Sequence, residues 1–410
     1  MLRVYPKAKQ INEIRNCFPS LAYTELAYLD NAASSQTVDS AIKAVSDYHY
    51  NYRANVHRGD FYTSGIASEK FDQAREEVAK LINCDISEIA FTAGTTDGLN
   101  IIADFLNDDR TVILTELEHH SNILPWMKHD KTAKNGKLVI VPASDHGDVS
   151  IADFQRAVEN NPGSVVSFLT QSNLTGMNTP WQEMVRIAKA NDCEVVIDAC
   201  QSIAHKQIDL QANNIDWLVF SGHKMYASTG SGVLFHRGGF SEVHGHGLGG
   251  GTAEFVSFDE YNLHGDFERI EAGTPNVAGV HSIGAAAKWI NEIGYKTIQE
   301  NEAEFFNMLR DKGLFEIEGL KLIGPLGPRS VYSFVTEMCN PSDLAGFLSF
   351  DKVCVRTGHM CAQPASRRYN NKETGVFRVS SGPYNNELDC VKLVEGIWKA
   401  VDKMTASKTK

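Results

Sequence analysis

Seven short apolar segments recur between residues 89 and 235, and they constrain the fold of this chain more than any other feature. The segments are Ile89–Phe91, Val112–Leu114, Leu138–Val141, Val165–Phe168, Val195–Ile197, Trp217–Phe220 and Gly232–Phe235. Most are separated by about 20–30 residues with a helical pattern, which is the spacing of βαβ units. We therefore predict an α/β fold with a mainly parallel seven-stranded sheet, covered by helices on both faces. The interval from Phe220 to Gly232 is too short for a crossover helix and predicts one antiparallel strand.

The pattern changes near residue 290, which predicts a second and smaller domain. Residues 245–273 are predicted as a Gly-rich, charged loop, followed by a long helix and then by shorter helices and strands. We predict a large domain over residues 21–290 and a small α+β domain formed by residues 1–20 and 291–410. The final helix is predicted to bury a face made of Leu388, Val391, Val394, Trp398 and Val401.

Composition and charge narrow the class of protein. The net charge of -12 over 410 residues leaves no basic field to attract nucleic acid or an anionic membrane. No apolar run approaches the roughly 18–20 residues of a membrane span, and the N-terminus lacks the apolar stretch of a secretory signal. The eight cysteines include no C-x-x-C pair, which favours reduced thiols over disulfides or a zinc site. The sequence thus predicts a cytoplasmic globular enzyme without metal, nucleic-acid or membrane partners.

Four polar sites follow strands of the predicted sheet. Thr95 and Thr96 open a helix, where unpaired N–H groups and the helix dipole can bind a phosphate. His119 can lie flat on an aromatic ring and exchange protons near neutral pH. Asp198 ends a buried strand and needs a cationic partner, for which a protonated pyridine nitrogen is suitable. Lys224 follows the next strand and is the type of side chain that forms a Schiff base.

Each of these sites also has an explanation without a ligand. Threonines cap helices, a loop histidine is commonly just polar, and most lysines in turns lie on the surface. However, the carboxyl ends of parallel strands meet at one edge of a sheet, where open α/β sheets bind ligands. Together the four sites predict a pyridoxal 5'-phosphate (PLP) site, with Ser172-Asn173 at the same edge. A nucleotide-binding α/β protein is disfavoured, because neither a Walker loop nor a G-x-G-x-x-G fingerprint is present.

Longer segments carry a family resemblance. They are Tyr28–Ala33, Val56–Gly59, Glu118–Asn122, Ser221–Tyr226, Glu271–Asn276 and Arg356–Pro364. These segments resemble the class V aminotransferase family, and nearly the whole chain is similar to its SUF-type cysteine desulfurase and selenocysteine lyase branch. The resemblance implies a PLP-dependent transferase of fold type I that forms a homodimer with its active site at the subunit interface. It further implies L-cysteine, or L-selenocysteine, as substrate and a sulfur-acceptor protein as partner.

The resemblance also implies roles for individual residues. Those implied to bind the cofactor are Lys224, Asp198 at the ring nitrogen, Gln201 at the ring hydroxyl, His119 on the ring face, Thr95, Thr96, Ser221 and His223 around the phosphate, and Thr274 reaching that phosphate from the partner subunit. Those implied to bind the substrate are Asn173 and Arg378 at its carboxylate, together with Arg356, Ala32 and His57. Those implied to take part in catalysis are Lys224, His119 and Cys361.

Cys361 distinguishes between the reactions open to such a site. It stands in a loop beside His359 and near Arg356, and cationic neighbours raise the thiolate fraction of a thiol. The resemblance implies that this thiolate takes sulfur from cysteine, leaving alanine and an enzyme persulfide, for iron–sulfur cluster assembly or a related pathway. The alternatives are a selenocysteine lyase, a class V aminotransferase or epimerase that keeps Cys361, and a non-catalytic sulfur-relay protein.

Three short segments depart from the family pattern. Ala227-Ser228 stands where Gly-Pro is usual, Ala199-Cys200-Gln201 where Gly-Ala-Gln is usual, and Ser381-Gly382-Pro383 where a more helical stretch is usual. Ala227 forgoes the backbone freedom of glycine, and Pro383 forces a turn. The departures leave the predicted PLP anchors intact, while the sulfur acceptor and the preference between cysteine and selenocysteine stay open.

Overall fold

The computed structural model describes residues 8–128, 137–243, 245, 247–370 and 373–408. Its helices are α1 (Ala8–Arg15), α2 (Pro19–Ala22), α3 (Asp39–Asn51), α4 (Tyr62–Ile82), α5 (Thr95–Phe105), α6 (Leu124–Lys128), α7 (Ile151–Glu159), α8 (Trp181–Lys189), α9 (Val277–Ile293), α10 (Tyr295–Asp311), α11 (Pro341–Phe350), α12 (Gln363–Tyr369) and α13 (Glu387–Lys408). Its strands are β1 (Ala27–Tyr28), β2 (Ile89–Thr92), β3 (Val112–Thr115), β4 (Leu138–Val141), β5 (Val165–Leu169), β6 (Glu194–Asp198), β7 (Trp217–Ser221), β8 (Gly232–His236), β9 (Ala253–Val256), β10 (Tyr261–Leu263), β11 (Leu320–Leu322), β12 (Val331–Thr336), β13 (Val353–Cys354), β14 (Arg356–Gly358) and β15 (Val376–Ser380).

The large sheet contains the seven predicted strands. Their order is β2-β8-β7-β6-β5-β3-β4, and all pairs are parallel except those that β8 makes with β7 and β2. The mainly parallel sheet and its single antiparallel strand are therefore confirmed. Because β8 is antiparallel to both of its neighbours, β7 and β2, strand β2 runs in the same direction as the parallel strands. The segments that follow β2, β3, β5, β6 and β7 consequently meet at one edge of the sheet.

Both faces of this sheet are buried, which explains why its strands read as continuous apolar runs. Alternate side chains of one strand enter different cores, as Leu218 and Val219 of β7 do. Helices α4, α7, α8 and α9 contribute to the core on one face, and α5 and α6 to the core on the other. Because helices pack on both faces, the sheet fixes the positions of the side chains at its carboxyl edge.

A second, antiparallel sheet has the order β11-β12-β15-β14 and packs with α11 and α13 around a core of its own. Strand β1 pairs with β13, so the N-terminal segment joins this part of the molecule. Ile11 of α1 lies in the small core, whereas Ile14 lies in the large one. Helix α1 therefore contacts both cores, and the division at residues 20 and 290 stays a prediction.

The predicted buried face of the last helix is wrong in part, since Val394 lies in the small core and Val401 packs against it, but Leu388 and Trp398 do not. Leu388 and Trp398 are 48% and 44% exposed, and the side chains of α13 that enter the small core are Cys390, Leu393, Val394, Ile397 and Ala400. The cause is Asp389, which is 1% exposed and accepts a hydrogen bond of 2.9 Å from Arg15. This buried ion pair turns Asp389 inward and its neighbour Leu388 outward, and no apolar periodicity reveals it.

The predicted loop over residues 245–273 contains a hairpin, formed by β9 and β10. The hairpin exposes four large apolar side chains. Phe258 is fully exposed, and Phe255, Val256 and Tyr261 are 49–68% exposed. Large apolar side chains grouped on a surface mark sites of protein contact. In the part of the chain that the structure describes, no helix combines the length and the apolar character needed to cross a bilayer.

Candidate active site

A cavity of about 340 Å³ lies at the carboxyl edge of the large sheet, where the small sheet closes it from the other side. Its lining residues are Ala32, Ala33, Thr95, Thr96, His119, Ser121, Leu169, Gln171, Asn173, Asp198, Cys200, Gln201, Ser221, His223, Lys224, Arg356, Met360, Cys361 and Arg378. The structure thus brings together every residue predicted for the site except two, Thr274 and His57. The volume falls within the range of pockets that hold small molecules, about 300–1,000 Å³.

The predicted phosphate cradle lies at the start of α5. The Thr95 N–H donates to Ser221 Oγ over 2.8 Å, and the hydroxyls of Thr95 and Ser221 are 2.8 Å apart. Thr96 Oγ1 lies 2.8 Å from Ser121 Oγ. Gly232 permits the close approach of the turn before α5, since a Cβ at residue 232 would lie 2.5 Å from Gly94 Cα. Four hydroxyls at the N-terminus of an 11-residue helix form a site suited to a phosphate.

His119 is held as a neutral ring. Burial and the charges of Lys224, His120 and Arg378 lower the pKa of His119 to about 4. Its Nδ1 accepts the Ser121 N–H over 3.1 Å, so the single proton of the neutral ring is on Nε2. His119 can therefore lie against an aromatic ring at neutral pH without adding a positive charge, and it offers Nε2–H as a donor.

Asp198 is the last residue of β6, and Lys224 follows the adjacent parallel strand β7. Asp198 is 5% exposed, and its Oδ1 accepts the Cys200 N–H over 2.9 Å. Burial raises its pKa, while that hydrogen bond and the charge of Lys224 act in the opposite direction. Lys224 stands in the turn of residues 222–224 after β7. Gln201 donates through Nε2 to the Ala32 carbonyl over 2.8 Å, which fixes its amide at the cavity wall.

Arg378, on strand β15 of the small sheet, also lines the cavity. It is 2% exposed, and burial lowers its pKa to about 10, so it stays charged at neutral pH. Its Nη2 lies 3.1 Å from Asp30 Oδ1, and its Nη1 donates to the Asn173 carbonyl over 2.9 Å. Arg356 binds both oxygens of the same Asp30 at 3.0 Å or less. Asp30 thus forms ion pairs with both arginines that are predicted to bind the substrate.

Three residues that line the cavity each have a buried side-chain atom without a hydrogen-bond partner among the described residues: Gln171 Oε1, Asn173 Oδ1 and Arg378 Nε. Such atoms are costly unless a ligand satisfies them, and a carboxylate would accept from Arg378. The hydroxyl cradle suits a phosphate, and buried Asp198 would suit a protonated pyridine nitrogen. The donor set therefore fits PLP together with an amino-acid carboxylate.

Two predicted residues lie outside the cavity. Thr274 and His57 line a different cavity of about 220 Å³, together with Arg58 and Glu271. Thr274 is predicted to reach the site of the partner subunit, whereas His57 is predicted to bind the substrate without reference to either subunit. Both residues are close together on the surface of one chain, which is consistent with a shared role elsewhere.

Several lining residues were not predicted as part of the site. They are Ala33, Ser121, Leu169, Gln171, Cys200 and Met360. Ser121 lies two residues after His119, and Cys200 lies two residues after Asp198, so a search of the residues that follow each strand would have found both. Asp30 stands in the polar loop after Tyr28-Leu29, but its pairing with Arg356 and Arg378 depends on contacts across the fold.

The geometry and the sequence point to the same class. The chain belongs to the class V aminotransferase family, whose aminotransferase class-V model matches residues 27–393. Members of this family are PLP-dependent enzymes, and the predicted α/β fold of type I is confirmed.

Within that family, the relatives of this chain are cysteine desulfurases. It is 36% identical to a probable cysteine desulfurase from Pyrococcus abyssi, over 93% of this chain and 96% of that protein. It is 34% identical to one from Vibrio cholerae, over 96% of this chain and 98% of that protein. The structure of a cysteine desulfurase from Thermococcus onnurineus matches with a TM-score of 0.88 and 31% identity, over 98% of this chain and 99% of that chain. The resemblance predicted from the sequence is thus confirmed.

Proposed function

We propose that this protein is a PLP-dependent cysteine desulfurase that converts L-cysteine to L-alanine and holds the sulfur as a persulfide on Cys361. The observation that carries the proposal is the position of Cys361, which lines the same cavity as Lys224, Asp198 and His119. A thiol beside a site of this kind is needed for removing sulfur and serves no purpose in transamination. Cys361 is also exposed, so a persulfide on it can be passed to an acceptor protein.

The residues that line the cavity have different roles in this reaction. Bound PLP supplies an electron-accepting ring for the amino acid joined to it, and Asp198 would keep the ring nitrogen protonated. Lys224 would hold the cofactor covalently and, once free, carry a proton. Arg378 would bind the substrate carboxylate through its unpartnered Nε. These fixed contacts would orient the substrate for attack by Cys361.

Sulfur transfer is then a displacement at the substrate sulfur. The Cys361 thiolate attacks this sulfur, a sulfur–sulfur bond forms, and the carbon–sulfur bond breaks. The electron pair of the broken bond stays with the substrate carbon, which takes up a proton and becomes the methyl group of alanine. Cys361 lines the same cavity as Arg356 and Arg378, so the attacking sulfur lies beside the groups proposed to bind the substrate. No external oxidant or reductant is needed until the persulfide is discharged.

The proposal predicts that the PLP-loaded protein releases equal amounts of alanine and sulfide from L-cysteine when a thiol reductant is present. Product quantification over many turnovers tests this directly. Formation of pyruvate or of a keto acid in place of alanine would instead indicate an aminotransferase or lyase. A protein that neither binds PLP nor forms alanine would be a non-catalytic sulfur-relay protein. We place the reaction in the cytoplasm, with iron–sulfur cluster assembly or a related pathway as its destination.

We also propose that the active protein is a homodimer in which each subunit completes the site of the other. Thr274 and His57 support this, because they lie together away from the cavity of their own chain. A further cavity next to the phosphate cradle, lined by Thr96, His223 and Gly230 among others, offers a place for them. The exposed apolar hairpin of β9 and β10 provides surface for such a contact.

Co-expression of two impaired variants tests the shared site. Lys224→Ala removes the amine from its own site, and the double variant His57→Ala/Thr274→Ala impairs only the partner's site. Mixed dimers contain one intact site, so about a quarter of wild-type activity should return with random pairing. Each variant alone serves as the control. A mixture no more active than its components, or a monomer by sedimentation of the active wild type, would contradict the proposal.

A further inference from the structure

The turn that carries Cys361 has an unusual backbone. Met360 and Cys361 both have positive φ angles, 56° and 52°, although neither is a glycine. Side chains with a Cβ rarely adopt this left-handed conformation, and two in succession persist only where surrounding contacts enforce them. The turn joins β14 to α12, and the thiol that it carries is exposed at the cavity. Something outside the turn must therefore hold it in this shape.

The contacts that hold the turn come from the large-domain side of the cavity. The His120 N–H donates to the Cys361 carbonyl over 2.7 Å. The ring of the same residue accepts, at Nε2, the Gln363 N–H over 3.1 Å. Asn173 Nδ2 donates to the Met360 carbonyl over 2.6 Å. His120 thus forms hydrogen bonds to the turn on both sides of Ala362. Its ring accepts from the first N–H of α12, a group that has no partner within the helix.

The ring of His120 can accept this hydrogen bond only when Nε2 carries no proton. Burial and the charge of His359 both lower the pKa of His120, so the ring is neutral at neutral pH. With Nε2 as the acceptor, the proton of the neutral ring is on Nδ1. His119 is oppositely arranged, with its proton on Nε2. His119 therefore offers a donor to the cavity, whereas His120 offers an acceptor to the Cys361 turn.

We propose that His120 is a positioning residue for sulfur transfer: it holds the Cys361 turn in its left-handed shape, so that the thiol faces the substrate sulfur. This inference rests on the proposed desulfurase function. Without the ring, the Gln363 N–H loses its acceptor and α12 can move away from the large sheet. The thiol then samples positions from which it cannot attack, while the cofactor end of the cavity stays intact. Misplacement of a reacting group by about 1 Å can cost about 100-fold in rate.

Two substitutions separate the acceptor from the bulk of the ring. His120→Leu removes the acceptor, and His120→Gln keeps one at a similar distance from the backbone. Alanine formation from L-cysteine should fall about 10- to 100-fold in His120→Leu and recover most of the loss in His120→Gln. Turnover of L-selenocysteine should stay close to wild type in both, because selenium can leave without the Cys361 thiolate. The absorbance of the bound cofactor should also be unchanged. His49→Leu, at an exposed position of α3, is the matched control.

The outcomes distinguish the inference from the function on which it rests. If wild-type protein forms no alanine from L-cysteine, the proposed function fails. If wild type is active and His120→Leu is equally active, the inference alone is overturned. An equal loss with both substrates, or a His120→Gln variant as impaired as His120→Leu, would show a general structural role and would also overturn it. Selective loss with L-cysteine, and its rescue by glutamine, supports the positioning role.

Discussion

Replacing Cys361 with alanine is expected to lower alanine formation from L-cysteine by about 1,000-fold or more. The reason is that the substrate sulfur then has no thiolate to which it can pass, although the cofactor and the carboxylate contacts remain. Turnover of L-selenocysteine should persist, since a selenium leaving group departs more readily than sulfur. Rates of alanine formation from the two substrates, measured on one preparation, provide the comparison.

Cys17→Ala is the matched control for this experiment. Cys17 is also a partly exposed thiol, but it lies near α1, outside the residues that line the cavity. Its replacement should leave both activities unchanged. Full desulfurase turnover by Cys361→Ala in the presence of a sulfur acceptor would show that the persulfide mechanism is wrong. Equal loss of both activities would place Cys361 in cofactor binding rather than in sulfur transfer.

Replacing Lys224 with alanine is expected to abolish turnover of both substrates, again by about 1,000-fold or more, because this amine is proposed both to anchor the cofactor and to carry a proton. The visible absorbance that the lysine–cofactor linkage gives to the wild type should disappear. Absorption spectra of matched preparations, with PLP added in excess, measure the first effect, and alanine formation measures the second.

Lys43→Ala serves as the control for Lys224→Ala, since the Lys43 side chain is 68% exposed and pairs with Asp47 on the same helix. It should keep both colour and activity. A Lys224→Ala variant that keeps the wild-type spectrum would assign the covalent anchor to another amine. The two variants therefore predict different patterns: Cys361→Ala loses one substrate and keeps its colour, and Lys224→Ala loses both.

The sheet and its cofactor edge could be predicted because both depend on local sequence. Strands such as β6 and β7 are buried on both faces and so appear as uninterrupted apolar runs. Asp198 is the last residue of β6 and Lys224 stands in the turn after β7, so the direction of parallel strands places both at the same edge of the sheet. The position of each residue relative to its own strand was sufficient for this part of the site.

Features that depend on contacts between distant segments could not be predicted in this way. The outward position of Leu388 follows from the ion pair of Asp389 with Arg15, which are 374 residues apart. Asp30 joins the site only because the small sheet brings Arg356 and Arg378 to it. These pairings depend on the relation between two cores, and apolar periodicity describes only one element at a time.

The Cys361 turn shows the same limit at the centre of the proposed chemistry. Its sequence suggested a reactive thiol from the neighbouring His359 and Arg356, but the left-handed backbone at Met360 and Cys361 is visible only in the structure. Residues with a Cβ give no signal for such a conformation, unlike a glycine. The role that we infer for His120 follows from this backbone and from the contacts that enforce it.

The central claim is that sulfur from L-cysteine is held on Cys361, and the mass of the Cys361 peptide tests it most directly. PLP-loaded protein should be incubated with one equivalent of L-cysteine, without reductant or acceptor, and its thiols blocked before digestion and mass spectrometry. We predict that the Cys361 peptide gains one sulfur atom, in an amount equal to the alanine formed, and that reductant removes it. Alanine formed without this mass increase, or with added sulfur on another cysteine, would contradict the account.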